Sequence, residues 1–395
     1  MIAEALEKLH AELTAQVTDG LVPGLAAAVV SSDEVDVFVA GALEAGGERA
    51  VGRDTIFRIA SLSKPMVAFG ALQMVQEGLF ELDEPVGRLV PELAHPRVLR
   101  SLDGPVSDTV AAERPITVRD LLTFTAGLGI VMAPPKTYPI QAELAEVLGE
   151  PGPPQPASAL PPDETLARLG ALPLLYQPGA QWAYDTAADV LGVLMARAAG
   201  TSLGTALSTR LFGPLGMVDT GFSVPPANVQ KLTSSYTVGP DGGLELFDPA
   251  EGSQWASPPP LESASGGLVS TLDDLLVFAR LMLGRGVLDH QRLLSDELFT
   301  AMTSDQLTAA QKSRTIWAPG FFDTHGWGFG LAVRTVAGDG ESAGSYGWTG
   351  GLGTVWACDP VLGTAGILLS QRAMMSPEPE SVTTSFWAGL HAATR

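Results

Sequence analysis

Three features of the sequence predict an α/β fold of the α+β type: strand-like segments at both ends, helical periodicity between them, and proline-rich stretches in the middle. In that fold one antiparallel sheet flanked by helices is assembled from both ends of the chain, and a mostly helical region is inserted between its halves. Residues 1–80 and 265–395 are expected to form the α/β domain and residues 81–264 the helical domain.

The elements follow in order. Leu6, Leu9, Leu13 and Val17 keep helical spacing, so the first segment reads as an amphipathic helix. It mixes acids with leucines and lacks the basic start and apolar block of a signal peptide, which leads us to expect a cytoplasmic protein. The apolar runs Leu25 to Val30 and Val35 to Ala40 flank the polar stretch Ser31-Ser32-Asp33-Glu34, the pattern of two strands around a turn. Met66 to Val75 is an apolar helix ending near Gly78, and a second helix is expected from about Ala187 to Ala199. Trp327 to Val336, Leu352 to Cys358 and Ala365 to Leu369 read as strands, with Tyr346 to Gly351 joining them. Val382, Phe386 and Leu390 mark a closing helix. Two proline-rich stretches, Met132 to Asp163 and Val224 to Ser263, resist regular structure and are expected to border the active site.

Composition narrows the function. With 46% hydrophobic and 17% charged residues, the chain of 395 has the balance of a globular enzyme. Its formal net charge of −21 repels phosphate backbones and anionic membranes, so neither nucleic acid nor a membrane is an expected partner. Cys358, the single cysteine, lies in an apolar run and reads as a small buried hydrophobe. One cysteine allows no internal disulfide and no cysteine zinc cluster, and neither metal nor cofactor is expected.

The chemistry concentrates in three segments. In Phe57-Arg58-Ile59-Ala60-Ser61-Leu62-Ser63-Lys64-Pro65, Ser61 and Lys64 stand three apart, which brings their side chains together on one helical turn. A serine hydroxyl needs a neighbouring base to act as a nucleophile. Burial can lower a lysine pKa by up to roughly 3–5 units, which would free the Lys64 amine for that task. In Gln177 to Thr186, Tyr184 precedes a helix for which Thr186 and Asp189 read as a capping box. Its phenol could relay protons between nucleophile and leaving group. In Tyr346-Gly347-Trp348-Thr349-Gly350-Gly351 the glycines let backbone pass close to a bound acyl group and offer N–H donors for an oxyanion.

These segments, in this order, resemble the Ser-x-x-Lys, Tyr-x-Asn and Lys-Thr-Gly elements of serine β-lactamases and penicillin-binding proteins. The likeness is strongest to the class C β-lactamase-like group and its esterase branch, the family VIII carboxylesterases. Pro115 to Thr123, Leu211 to Met217, Ser265 to Thr271 and Gly326 to Gly330 match the habits of that family as well. The resemblance implies a β-lactamase/penicillin-binding-protein-like fold with the cleft between its two domains. It also implies Ser61 as nucleophile, Lys64 and Tyr184 as general base and acid, and the N–H groups of Ser61 and Gly351 as the oxyanion hole. Trp348, Thr349, Gly350 and Thr186 would line the substrate. Two departures favour esters over lactams. Trp348 stands where β-lactamases carry a lysine that holds a carboxylate, and Thr186 stands in place of the asparagine that recognises an acylamino carbonyl. The expected substrate is therefore a small, neutral ester of short to medium acyl chain.

Rival readings stay open. The same scaffold can serve an acyltransferase, an amidase or a β-lactamase-type enzyme, or an inactive binding protein. Gly200-Thr201-Ser202-Leu203-Gly204 fits the nucleophile elbow of α/β-hydrolases, with Asp273 or Asp274 and His325 completing a triad. That elbow requires a preceding strand, whereas Gly200 reads as the cap of a helix and Thr201 or Ser202 as the start of the next. His10, His95, His290 and His391 have no neighbours that suggest ligands or bases.

Overall fold

Seven strands drawn from both ends of the chain form one antiparallel sheet in the computed structural model, which describes residues 1–31, 34–315, 317–338, 340–377 and 380–394. In sheet order the strands are His325–Trp327, Ala332–Arg334, Tyr346–Gly350, Thr354–Asp359, Thr364–Ser370, Gly24–Ser31 and Glu34–Gly41. The halves of the chain join where Leu25 pairs with Ser370 and Ser31 with Thr364. Ser32 and Asp33, the centre of the expected polar turn, lie outside the described residues.

Gly24–Ser31 is apolar throughout because both of its faces are covered. Ala26, Ala28 and Val30 point into the main core, while Leu25, Ala27 and Val29 point the other way. There they meet Leu9 and Leu13 of the helix Ala3–Thr18 and Val382, Phe386 and Leu390 of the helix Ser381–Thr394. Burying each such leucine or phenylalanine contributes about 1.5–3 kcal/mol. Gly366 permits this close contact, since a Cβ there would come within 2.4 Å of Leu390 Cδ1. On the opposite face, Leu272–Leu283 packs against the strands at Gly24–Ser31, Thr354–Asp359 and Thr364–Ser370. The helix Ser63–Gln76 runs through the main core, buried on every side up to Met74. Thr186–Ala199 packs against it and against Val118–Thr123, so the segments bearing Lys64 and Tyr184 meet. Among the described residues no single helix is long and apolar enough to cross a membrane.

The structure departs from the sequence expectation in four places. Trp327 to Val336 is two strands, because Gly328 and Gly330 turn the chain: Gly330 has φ +71°, Gly328 N–H donates to Leu331 O at 2.9 Å, and Trp327 pairs with Ala332. Tyr346–Gly350 is itself a full sheet strand. The proline-rich stretches are not irregular throughout. The first holds the helix Pro139–Leu148, and the second holds the hairpin Ser235–Val238 with Leu244–Asp248. Finally, Thr186 and Asp189 form no capping box. Asp185 occupies the N-cap position without a side-chain cap bond, and Asp189 turns away to Ser263 and Ser265.

Candidate active site

Ser61 lies in a tight 3₁₀ turn, Ala60–Leu62, that feeds the helix Ser63–Gln76. The turn is strained, since Ala60 takes φ +45°, a left-handed value that costs a non-glycine residue roughly 1–3 kcal/mol. Packing holds it there. Phe57–Arg58 pairs with Val269–Ser270, and Ser63 Oγ donates to Ala60 O at 2.7 Å while accepting from Leu268 N–H at 3.1 Å. Arg58, three residues before Ser61, is buried. It donates to Thr233 O at 2.6 Å and to Asp248 Oδ2 at 2.8 Å, and so anchors the turn to the second proline-rich stretch.

Lys64 is fully buried, and its ammonium has three acceptors. It donates to Ser61 Oγ at 2.9 Å, Asp185 Oδ1 at 2.6 Å and Ser265 O at 2.6 Å. It also stands 4.5 Å from the centroid of the Tyr184 ring. The expectation that burial would free its amine is not met. Burial is the largest single influence and pulls the pKa down, but the Asp185 carboxylate, by charge and hydrogen bond, and the nearby Tyr184 together outweigh it. The net pKa lies above the ordinary lysine value.

Tyr184 follows a segment fixed against Phe124 and Ile130. Ala183 N–H donates to Phe124 O at 2.8 Å, and Ile130 N–H donates to Tyr184 O at 2.8 Å. Its ring sits among Trp182 at 5.6 Å, Trp317 at 4.7 Å and Trp348 at 5.6 Å. Trp348 is more than the apolar wall expected of it, because its indole Nε1–H donates to Tyr184 Oη at 2.8 Å. It also packs edge-on against Trp327 at 4.7 Å.

The strand that carries Trp348 packs against the Ser61 turn. Gly350 allows this approach, since a Cβ there would lie 2.2 Å from Ile59 O. Gly351, the expected second oxyanion donor, is exposed at the exit of that strand, and Thr349 is half-buried. Thr186 behaves differently from expectation. It is 2% exposed as the first residue of its helix, and its hydroxyl has no hydrogen-bond partner among the described residues. A shallow cleft opens beside Tyr184, lined by Val131, Met132, Tyr138, Tyr176 and Trp182 among others. Met132 and Tyr138 of the first proline-rich stretch belong to that lining.

Sequence reasoning missed Asp185, misread Asp189 as part of a cap, and gave Ser265 no contact with Lys64. Asp189 accepts from Ser263 Oγ and Ser265 N–H, each at 2.9 Å, and from Ser265 Oγ at 3.1 Å. Burial and the neighbouring Asp185 charge raise its pKa. The rival elbow does not assemble. Ser202 caps the helix Leu203–Leu207 by accepting from Thr205 N–H, and Gly200 ends the preceding helix in the left-handed conformation. Asp273 pairs with Arg53, Asp274 accepts from Thr220, and His325 meets Thr324. Among the described residues no group of His, Cys, Asp and Glu side chains is placed to hold a metal ion.

A serine turn, a buried lysine and a tyrosine thus converge beside an antiparallel sheet. The beta-lactamase family model matches residues 9–384, and the chain belongs to that family. It is 36% identical over 315 residues to Protein Rv1367c of Mycobacterium tuberculosis, covering 78% of this chain and 75% of that one. It is 31% identical over 351 residues to Esterase EstB of Burkholderia gladioli, covering 84% and 80%. Among solved structures it matches EstCE1, described as a hydrolase with promiscuous acyltransferase activity, at a TM-score of 0.79 and 23% identity over 99% of this chain and 98% of that one.

Proposed function

We propose that the chain hydrolyses neutral carboxylic esters of short to medium acyl chain through an acyl-enzyme on Ser61. The observation that carries this reading is the 2.9 Å bond from Lys64 Nζ to Ser61 Oγ at the head of a buried helix. The likeness to Esterase EstB supports it, as does the aromatic wall of Trp348 where a carboxylate-binding lysine would otherwise stand.

In the proposed cycle Tyr184 enters as the phenolate, beside the Lys64 ammonium and accepting from Trp348 Nε1–H. Ser61 Oγ forms a bond to the ester carbonyl carbon, and its proton passes to that phenolate oxygen, giving the neutral phenol. Charge moves to the carbonyl oxygen, which the N–H groups of Ser61 and Gly351 receive. The tetrahedral adduct collapses, the C–O bond to the alcohol breaks, and Tyr184 gives the proton to the leaving oxygen. Water then attacks the acyl-enzyme, its proton travels by the same phenol, and Ser61 is released with the carboxylic acid. Tyr184 is preferred to Lys64 as base because every Lys64 N–H already has an acceptor.

Hydrolysis of p-nitrophenyl acetate and butyrate by the native chain, Ser61→Ala and Ser202→Ala is the test. Activity lost with Ser61 alone is the expected result, and activity lost with Ser202 alone would overturn the assignment. A second reading, transfer of the acyl group to an alcohol, is favoured by the likeness to EstCE1 and by the aromatic lining of the cleft. A primary alcohol added to the assay would then compete with water and yield a new ester.

A further inference from the structure

Asp185 follows Tyr184 directly and has an unusual backbone, φ +87° and ψ −75°. These values lie near the rare γ-turn with φ about +75° and ψ about −65°. An aspartate at an N-cap ordinarily accepts from the first turn of its helix. This one makes no such bond, and its strained backbone sends the carboxylate to Lys64 instead. The other two acceptors come from separate segments, Ser61 from the nucleophile turn and Ser265 O from the loop beyond the second proline-rich stretch. Asp189 fixes that loop through Ser263 and Ser265. The groups facing the Lys64 ammonium are therefore Ser61, Tyr184, Asp185 and the Ser265 carbonyl, with Asp189 behind them.

We propose that Asp185 is a positioning residue whose carboxylate locks Lys64 in place as a standing ammonium donor to Ser61 Oγ, so that Lys64 acts as a fixed positive charge in both halves of the cycle while Tyr184 moves the protons. This rests on the Ser61 acyl-enzyme reading. The geometry argues for it directly. An ammonium has three N–H bonds for three acceptors, whereas a neutral amine has two and would turn a lone pair towards a carbonyl, a carboxylate or the nucleophile. Leaving one of those buried acceptors unmatched is costly. A fixed charge beside Ser61 Oγ also favours the alkoxide character that develops there during attack and departure. The direction of the Lys64 pKa agrees, since Asp185 is the largest of the influences that raise it.

Two readouts on Asp185→Asn and Asp185→Glu test the proposal. Asn tolerates positive φ and keeps the shape of the side chain, while Glu keeps the charge. The first readout follows the ε-carbon of Lys64 by NMR of ¹³C-lysine protein, assigned with Lys64→Arg in a chain of only five lysines. It needs no catalysis. Native Lys64 should remain protonated where a free lysine begins to titrate, and Asp185→Asn should bring its titration to lower pH. The second readout is the pH profile of kcat/KM on p-nitrophenyl acetate. In Asp185→Asn the alkaline limb should move to lower pH with the Lys64 titration. At neutral pH kcat should fall about tenfold or more, with KM little changed, and Asp185→Glu should recover part of the loss.

Neutral Lys64 in the native chain at pH 8 would overturn the proposal. So would an Asp185→Asn profile whose acid limb moves down and whose activity rises at pH 6, because a freed amine would then be the base. A drop in melting temperature with both limbs unmoved would reduce Asp185 to a structural role and overturn it as well. If the native chain cleaves no ester, the acyl-enzyme reading falls, and the NMR titration still decides whether Asp185 holds Lys64 charged.

Discussion

Replacing Trp348 with phenylalanine removes one N–H from the site while leaving an aromatic ring against Trp327. The bond lost is the 2.8 Å donation into Tyr184 Oη. A hydrogen bond of this kind has a net value of about 0.5–1.5 kcal/mol, and a buried partner left unmatched costs about 1–3 kcal/mol. Tyr184 is half-buried, so water can replace part of what is lost. A loss of about 1–2 kcal/mol is therefore expected. If Tyr184 carries the proton in the transition state, kcat/KM on p-nitrophenyl acetate falls about 5- to 30-fold, chiefly through kcat. The smaller ring also leaves a void, and that effect must be separated from the hydrogen bond. Urea unfolding of Trp348→Phe, Tyr184→Phe and the double variant does so. The expected coupling is about 1 kcal/mol, whereas independent sites add within about 0.3–0.5 kcal/mol. A coupling inside that margin, or an unchanged kcat/KM, would refute the role assigned to the indole.

Trp348→Lys should shift preference towards esters that bear a carboxylate by about tenfold or more, the scale of a charge-assisted contact of about 1.5–3 kcal/mol; paired neutral and anionic esters compared by kcat/KM would show it. Gly350→Ala should destabilise the fold by about 1–3 kcal/mol and lower kcat, because the added Cβ would meet Ile59 O at 2.2 Å and push the strand away from Ser61. Melting temperature and kcat measured together check it. The Lys64 pKa is raised in the folded chain, so its pairing stabilises fully below the value of an unfolded lysine, about 10.4, and is lost as pH rises through the folded value. The gap in urea midpoint between the native chain and Lys64→Met should thus be flat from about pH 7 to 9 and narrow above about pH 10.5.

That Ser61 and Lys64 meet was legible from their spacing on one turn, whereas Gly350, read as making room for an acyl group, makes room for the backbone of Ile59. The sheet was legible because strands covered on both faces, such as Gly24–Ser31, are apolar throughout. Asp185 was not, since nothing in the residue order announces a positive φ at an aspartate, and the bend that aims its side chain is imposed by packing around it. Ser265 was hidden for another reason: it contributes through its carbonyl, which every residue has. Asp189 was misread because its spacing from Thr186 fits a cap, while a stronger set of donors waits on a loop some 75 residues away. Trp327 to Val336 read as one strand because periodicity carries no information on where glycines reverse the chain.

The strand Gly24–Ser31 sits between Glu34–Gly41, its neighbour in sequence, and Thr364–Ser370, which is made more than three hundred residues later. On the ribosome, at about 5–20 residues per second, the early hairpin waits tens of seconds with one edge open. Closing so long a loop is entropically slow, and an unpaired apolar strand is an invitation to aggregate. Slow refolding and sensitivity to removal of Thr364–Ser370 are the expected outcomes, read by refolding kinetics. A nascent chain that already contains Ser61, Lys64 and Tyr184 still lacks Trp348 and the strand that packs against the Ser61 turn, so the proposed site is complete only when the last strands arrive.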